Sequence, residues 1–449
     1  MKVVHRRCAL LLSLFVLTAP APASDSVAQR YESSSLAPEM RVVIDEVIGD
    51  ASVISLSESS HFLEEFHKFG VEAFKYMVEE HGVRLFVLET MWAIEENIMA
   101  YIDSEATEIP PHQALYLNAF GSDQMKALLL WIRAWNRAHP DDPVIVSGYQ
   151  PEQPVTDATA IKAFFASSAI EIPTWAANVL EKYPFFNGEH RTDLDSIVFS
   201  SGRYRAGELI YTPQQRLEII DALIAIEDVV LANRTRLVAE VGNDAIRELE
   251  MHVLSLRTSI DTLTYVMDLG NTLADDDPEF AARQNEASSA AYRIGDMVRA
   301  KIFFTLRETR HRDRRAVIWM HNWHAAKRAE RLEVVGTAEA GGMQLGTASF
   351  GSRAFRVLGD DYVVIASLTR CETCEIDRSG SLEDALHARF GEETAIVNLS
   401  AAGDLEETVT TPGTAYAQNH NMLFRNLVLS EQFDAVVYFP GSGLTVERN

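Results

Sequence analysis

The sequence predicts an α/β fold: a mostly parallel sheet flanked by helices, with a large helical insertion covering the site. Three observations carry this. Short β-branched apolar runs alternate with helix-length amphipathic stretches through the first third of the chain, the pattern of parallel crossover units. Between about 157 and 312 helical segments dominate and no convincing strand interrupts them. Strand-like runs then resume at 316–320, 362–368, 395–399 and 435–439.

The elements follow in order. MKVVHRRCALLLSLFVLTAPAPAS has a basic start, a short apolar run and the small residues Ala21-Pro22-Ala23, the layout of a secretory leader. Residues 1–23 are expected to be a signal peptide and 24–449 a single mature domain, exported to the periplasm or secreted. The adjacent Arg6-Arg7 is too ordinary to specify twin-arginine export, so the general secretory route is expected. No later stretch has the apolar length of a transmembrane helix, so no stable membrane insertion is expected.

A helix is predicted over 39–47, then a buried strand over 51–57 that ends at Glu58-Ser-Ser-His61. Phe66, Phe69, Val71, Phe74 and Met77 have helical spacing over 63–80, and Gly82 stops that helix. A second strand over 84–89 closes on Glu89. Met125, Leu128, Leu129, Ile132 and Trp135 mark a helix over 123–138, which leads through His139-Pro140 into a strand over 143–147. Inside the insertion, 216–240 and 245–269 are long amphipathic stretches, and 274–278 is an acidic break.

Composition narrows the functional classes. A chain of 449 residues that is 47% apolar can bury a large core, which excludes disorder. Its formal charge of -25 excludes nucleic acid as a partner, because a polyanion needs a basic surface to release counterions. Cys8 leaves with the leader, and Cys371 with Cys374 remains. In an oxidising compartment a small structural disulfide is the expected fate of that pair. A zinc site would need two further ligands.

Chemistry concentrates at three strand ends: Glu58 and His61, Glu89, and His321 with His324 after the strand 316–320. Ligands of open parallel sheets bind outside the carboxyl ends of the strands, so these groups should converge although they are far apart in sequence. Taken singly, a strand-end Glu is usually a helix cap and a His a satisfied structural residue. Three strand ends all bearing carboxylate or imidazole are hard to attribute to packing. Each pair, Glu58 with His61 and His321 with His324, is three apart, and one helical turn would set both members on one side, facing one substrate atom. His67 and His81 read as packing or surface residues.

Other mechanisms lack their motifs. Neither a GxSxG elbow nor HExxH is present, which disfavours serine hydrolases and zincins. The glycine-rich stretch 339–346 lacks the Lys-Ser/Thr ending of a P-loop and reads as a loop beside the site. Asp275-Asp276-Asp277 lacks the glycine and distant glutamate of an EF-hand and reads as a solvated turn.

Ser57-Glu58-Ser-Ser-His61, then Leu85-Phe-Val-Leu-Glu89 at a spacing of 31 from Glu58, then Trp319-Met-His321-Asn-Trp-His324, resemble the erythromycin esterase family. Weaker echoes lie in Trp131-Ile-Arg133-Ala-Trp-Asn136, Leu358-Gly-Asp-Asp-Tyr362 and Phe433-Asp-Ala-Val436, so the resemblance spans nearly all of the mature chain. The chain departs from the family at Phe62, at Gly70, where the family has a basic residue, and at Gln150, where an Asp is common.

The resemblance implies an esterase acting on an ester or macrolactone, with possible macrolide resistance as its role. It further implies catalysis by His61, Glu58, Glu89, His321 and His324, with His61 as general base on a water, Glu58 orienting it, and no cofactor. The residue types also allow a metal-dependent hydrolase in which the same five groups hold a divalent ion. A third possibility is a non-catalytic envelope protein that binds an amphipathic small molecule.

Overall fold

The computed structural model describes residues 32–61, 63–109, 122–151, 154–183, 211–263, 280–336, 348–369, 382–401, 416–417, 422–425 and 427–441. Residues 1–31, which include the expected leader, and Phe62, the acidic break, the glycine-rich loop and the Cys371/Cys374 pair lie outside them. The strands are β1 (Val53–Glu58), β2 (Val83–Met91), β3 (Ile145–Gln150), β4 (Arg315–His321), β5 (Glu333–Gly336), β6 (Tyr362–Thr369), β7 (Ala395–Asn398), β8 (Tyr416–Ala417), β9 (Met422–Arg425) and β10 (Ala435–Phe439). Seven form one sheet in the order β3-β2-β4-β1-β6-β10-β7. Every pairing in it is parallel except β7 with β10. The remaining three make a small antiparallel sheet.

Both faces of the large sheet are covered, which is why its strands read as continuous apolar runs rather than alternating ones. Successive side chains go to opposite faces. Ile54, Leu56, Phe86, Leu88, Val317 and Trp319 meet α1 (Pro38–Ile48), α2 (Glu64–His81), α3 (Glu95–Asp103) and α4 (Asp123–Ala138). The periodic residues Phe66, Phe74, Met77, Leu128 and Ile132 are all buried in that layer. Gly82 ends α2 at φ +65, a conformation that suits glycine.

Between β3 and β4 the described residues are all helical or loop: α5 (Pro154–Ser167), α6 (Thr174–Lys182), α7 (Pro213–Val241), α8 (Asn243–Thr258) and α9 (Phe280–Thr309). α7 starts on a capping box made by Thr212 and Gln215. Ile161, Leu180, Leu223, Ile226, Leu249 and Leu256 give α5 to α8 a core of their own. The stretch read as one helix over 245–269 stops being α-helical at Thr258 and passes into a π turn over Ser259–Leu263. The second half of α9 belongs to the sheet rather than to this separate core, since Val298, Ile302, Phe303 and Leu306 pack on Leu85, Val87 and Ile318. Arg310 holds it to α8 through two 2.8 Å bonds to Glu248.

That second face is completed by α10 (Asn322–Ala325), α11 (Phe350–Leu358), α12 (Leu382–Phe390) and α13 (Leu429–Gln432). No helix among the described residues is long and apolar enough to cross a membrane. α11 docks on the end of α10 at backbone distance. Ser349 caps α11 and donates to the Ala326 carbonyl at 2.9 Å. A Cβ built on Gly351 would collide with the Ala325 carbonyl, and backbone cannot step aside as a flexible side chain would. Gly351→Ala is therefore expected to lower the unfolding free energy by about 1–3 kcal/mol, read as a reduced urea midpoint with an unchanged m-value. A wild-type midpoint would disprove the close docking.

Candidate active site

The strand order makes neighbours of β2, β4 and β1, so their carboxyl ends lie side by side. Glu58 ends β1 in register with His321 at the end of β4. Glu89 does not close its strand, because β2 runs on to Met91. Its pairing with β3 slips between Leu88 and Met91, a bulge of the kind found beside active sites. Gly148 lies opposite, and any side chain there would strike the Met91 carbonyl.

All five residues singled out in the sequence come together. His61 Nδ1 lies 2.8 Å from Glu58 Oε1, and its Nε2 faces Glu89 Oε2 at 3.6 Å. Glu89 Oε1 lies 3.2 Å from His324 Nε2, and Glu89 Oε2 accepts the His321 backbone N–H at 2.9 Å. The two carboxylates and three imidazoles are nearly sealed, and His61, at 14%, is the most exposed ring among them.

The helical-turn explanation of the spacings is corrected. Glu58 to His61 is a strand end and a turn, and the pair meets because the loop folds back. His321 and His324 flank the start of α10 with ring centroids 6.3 Å apart at 77°, and they face different partners. His321 is the N-cap of that helix: its Nδ1 accepts the Trp323 N–H at 3.3 Å, which leaves Nε2 to donate to the Ser59 carbonyl at 3.3 Å. It ties the β1 loop to β4.

Two site residues escaped the sequence reading. Asp296 and Arg299 lie on α9, one turn apart, in the stretch read only as cover. Asp296 is fully buried. His324 Nδ1 is 2.8 Å from Asp296 Oδ1, and the Phe350 N–H donates to Oδ2 at 3.0 Å. Arg299 Nη1 donates to Asp296 at 2.9 Å and lies 3.9 Å from Glu89 Oε1. The available signal was a pair of charges among Val298, Ile302 and Phe303 on a helix face that had to be buried.

His67, read as packing, is buried and supports the site loop from beneath. Its Nε2 donates to the His61 carbonyl at 2.8 Å, and its Nδ1 meets Ser122, the cap of α4, at 2.6 Å. His81 pairs with Asp45 at 2.8 Å near the surface. Tyr149 is buried against Phe350, and its hydroxyl has no hydrogen-bond partner among the described residues.

Burial penalises each charge here, and the neighbours override it. The His61 imidazole is pulled down by burial, but the Glu58 hydrogen bond and the charges of Glu89 and Glu58 leave it above its ordinary 6.5. Burial raises Glu89 and Asp296, yet His324 and Arg299 hold both below the ordinary carboxylate range, helped by His61 at Glu89. Burial also lifts the Tyr149 hydroxyl well above the phenol range, so it stays protonated. Among the described residues no group of three or more His, Cys, Asp or Glu side chains is arranged to hold a metal ion.

A family model described as erythromycin esterase matches residues 78–442. The chain belongs to the erythromycin esterase family. Erythromycin esterase type II of Escherichia coli is 25% identical over 152 residues, covering 31% of this chain and 35% of that protein. The match thus spans about a third of that relative's length. A mutant of the erythromycin esterase EreC in its open conformation superposes with a TM-score of 0.66 at 15% identity, covering 92% and 96% of the two chains. A Bacillus cereus protein gives 0.62 at 15% identity over 92% and 95%. A succinoglycan biosynthesis protein gives 0.60 at 16% over 91% and 93%. Likeness at these identities establishes the fold.

One departure from the family now has a cause. Any side chain at Gly70 would run into the indole of Trp319, so no basic residue fits there, and the site's cation is Arg299 from α9. The His61 shift can be checked directly. Its imidazolium adds stability that is complete below about pH 6.5 and fades as pH rises through the raised folded value. Glu58→Gln and Glu89→Gln should each lower the His61 pKa in an NMR titration of the full chain, Glu58→Gln by more. An unmoved titration would refute the assigned causes.

Proposed function

We propose that the protein is an exported carboxylic ester hydrolase that opens an ester or macrolactone bond with a water activated by His61. The observation that carries this is the Glu58–His61 hydrogen bond: it occupies Nδ1 and fixes Nε2 as the nitrogen that faces the site. His61 Nε2 takes a proton from the water as its oxygen attacks the carbonyl carbon. The oxygen that then gains charge has the Arg299 guanidinium as its cation. No acyl-enzyme is required. The Glu58 and Glu89 carboxylates make His61 a stronger base than free imidazole, which suits it to this step.

The secretory leader supports export to the periplasm or beyond, where such an activity would meet an antibiotic or an envelope ester before it reaches the cytoplasm. Family membership supports a macrolide-type lactone, while Phe62, Gly70 and Gln150 alter the surroundings that would select a particular one.

The test is mass spectrometry of a panel of macrolactones and simple esters incubated with wild-type and His61→Ala protein, with and without chelator. A gain of one water is expected with wild type, and a loss of about 100-fold or more with His61→Ala at unchanged circular dichroism. The wild-type rate should climb as pH rises through the raised His61 value. Retention of wild-type turnover by His61→Ala would overturn the mechanism, and loss of turnover on chelation would replace it with a metal-dependent one.

A further inference from the structure

The site contains a second carboxylate–imidazole dyad that mirrors the first. His61 Nδ1 is 2.8 Å from Glu58, and His324 Nδ1 is 2.8 Å from Asp296. Each ring turns Nε2 toward a different oxygen of one carboxylate, Glu89: Oε2 at 3.6 Å for His61 and Oε1 at 3.2 Å for His324. Arg299 Nη1 is almost equally far from both nitrogens of His324, 3.1 and 3.3 Å, a position over the ring rather than on either nitrogen. It therefore leaves Asp296 as the group that orients the ring.

Asp296 is itself held rigidly. It is fully buried, and it is fixed by the Phe350 N–H and by Arg299. A carboxylate kept at such a cost in desolvation, beside the apolar Val298, Ile302 and Phe303, is a device for placing another group.

We propose that His324 is the general acid for the departing alcohol and that Asp296 is its positioning residue. This rests on the hydrolase reading above. After water has added to the carbonyl and its proton has gone to His61, the tetrahedral intermediate collapses. The bond from carbon to the alkoxy oxygen breaks, and its electron pair stays on that oxygen. The oxygen takes the Nε2 proton of His324, giving a carboxylic acid and an alcohol. His61 has gained one proton and His324 has lost one, and exchange with solvent resets both once the products leave.

Two measurements on the full chain test this and keep it apart from the hydrolase reading. The first needs no substrate: in a 15N-histidine NMR spectrum, Asp296→Asn should shift the His324 Nδ1 resonance and leave that of His61 in place. An unchanged His324 resonance would overturn the positioning role. The second compares leaving groups. p-Nitrophenyl butyrate expels a stable phenolate that needs no proton, whereas erythromycin must expel an alkoxide. Asp296→Asn should cut kcat about 100-fold for erythromycin and less than about threefold for the aryl ester. Equal losses on both would overturn the acid assignment alone. Absence of turnover on both by the wild type would overturn the hydrolase reading and the acid role with it. Should Asp296→Asn fail to fold, the smaller Asp296→Ser takes its place in both measurements, with the same expected shift and leaving-group pattern.

Discussion

Glu89 is a carboxylate largely withdrawn from water, its side chain 7% exposed, and the site is organised around satisfying that charge. One oxygen takes the His321 backbone N–H and faces His61; the other faces His324, with Arg299 beyond. An isolated buried carboxylate would cost several kcal/mol, so each of these groups is drawn into place by the same demand. The demand is local, but the supply is not. It comes from the loop after β1, from the end of β4 and from the middle of α9.

The sheet order is what makes that supply possible. Placing β4 between β2 and β1 brings residues some 230 positions apart into register, and the bulge in β2 frees Glu89 from the ladder at that height. α9 then closes the arrangement from above. Its apolar half lies on the sheet, and only there do Asp296 and Arg299 reach His324. The separate core of α5 to α8 is joined to this scaffold at Ser255, whose hydroxyl lies 2.5 Å from both Asp157 and the Pro151 carbonyl just beyond β3. Insertion and sheet thus meet beside the site rather than away from it.

The chain's departures from its family are structurally coherent. Gly70 exists because Trp319 occupies the space, and Trp319 belongs to the strand that delivers His321. The cation that faces Glu89, Arg299, comes from a different element, α9.

The five strand-end residues were legible in the sequence because strand ends in a parallel sheet are forced to one edge, and ionisable side chains there stand out against apolar runs. The same logic made the helices of the first layer plain, since Phe66, Phe74 and Ile132 repeat at helical spacing. Asp296 and Arg299 were not legible. On a long helix a charged pair one turn apart normally faces water, and only its setting beside Val298, Ile302 and Phe303 marks this one as buried. Nor could spacing reveal that His321 serves the backbone while His324 serves two carboxylates, because the difference lies in which neighbours the fold sets against each ring. The sequence by itself determined the sheet, its flanking helices and the edge where chemistry gathers, all of which follow from periodicity and chain connectivity. Only the tertiary structure decided which carboxylate each imidazole faces, because that depends on contacts between segments whose distance in sequence carries no information about their distance in space.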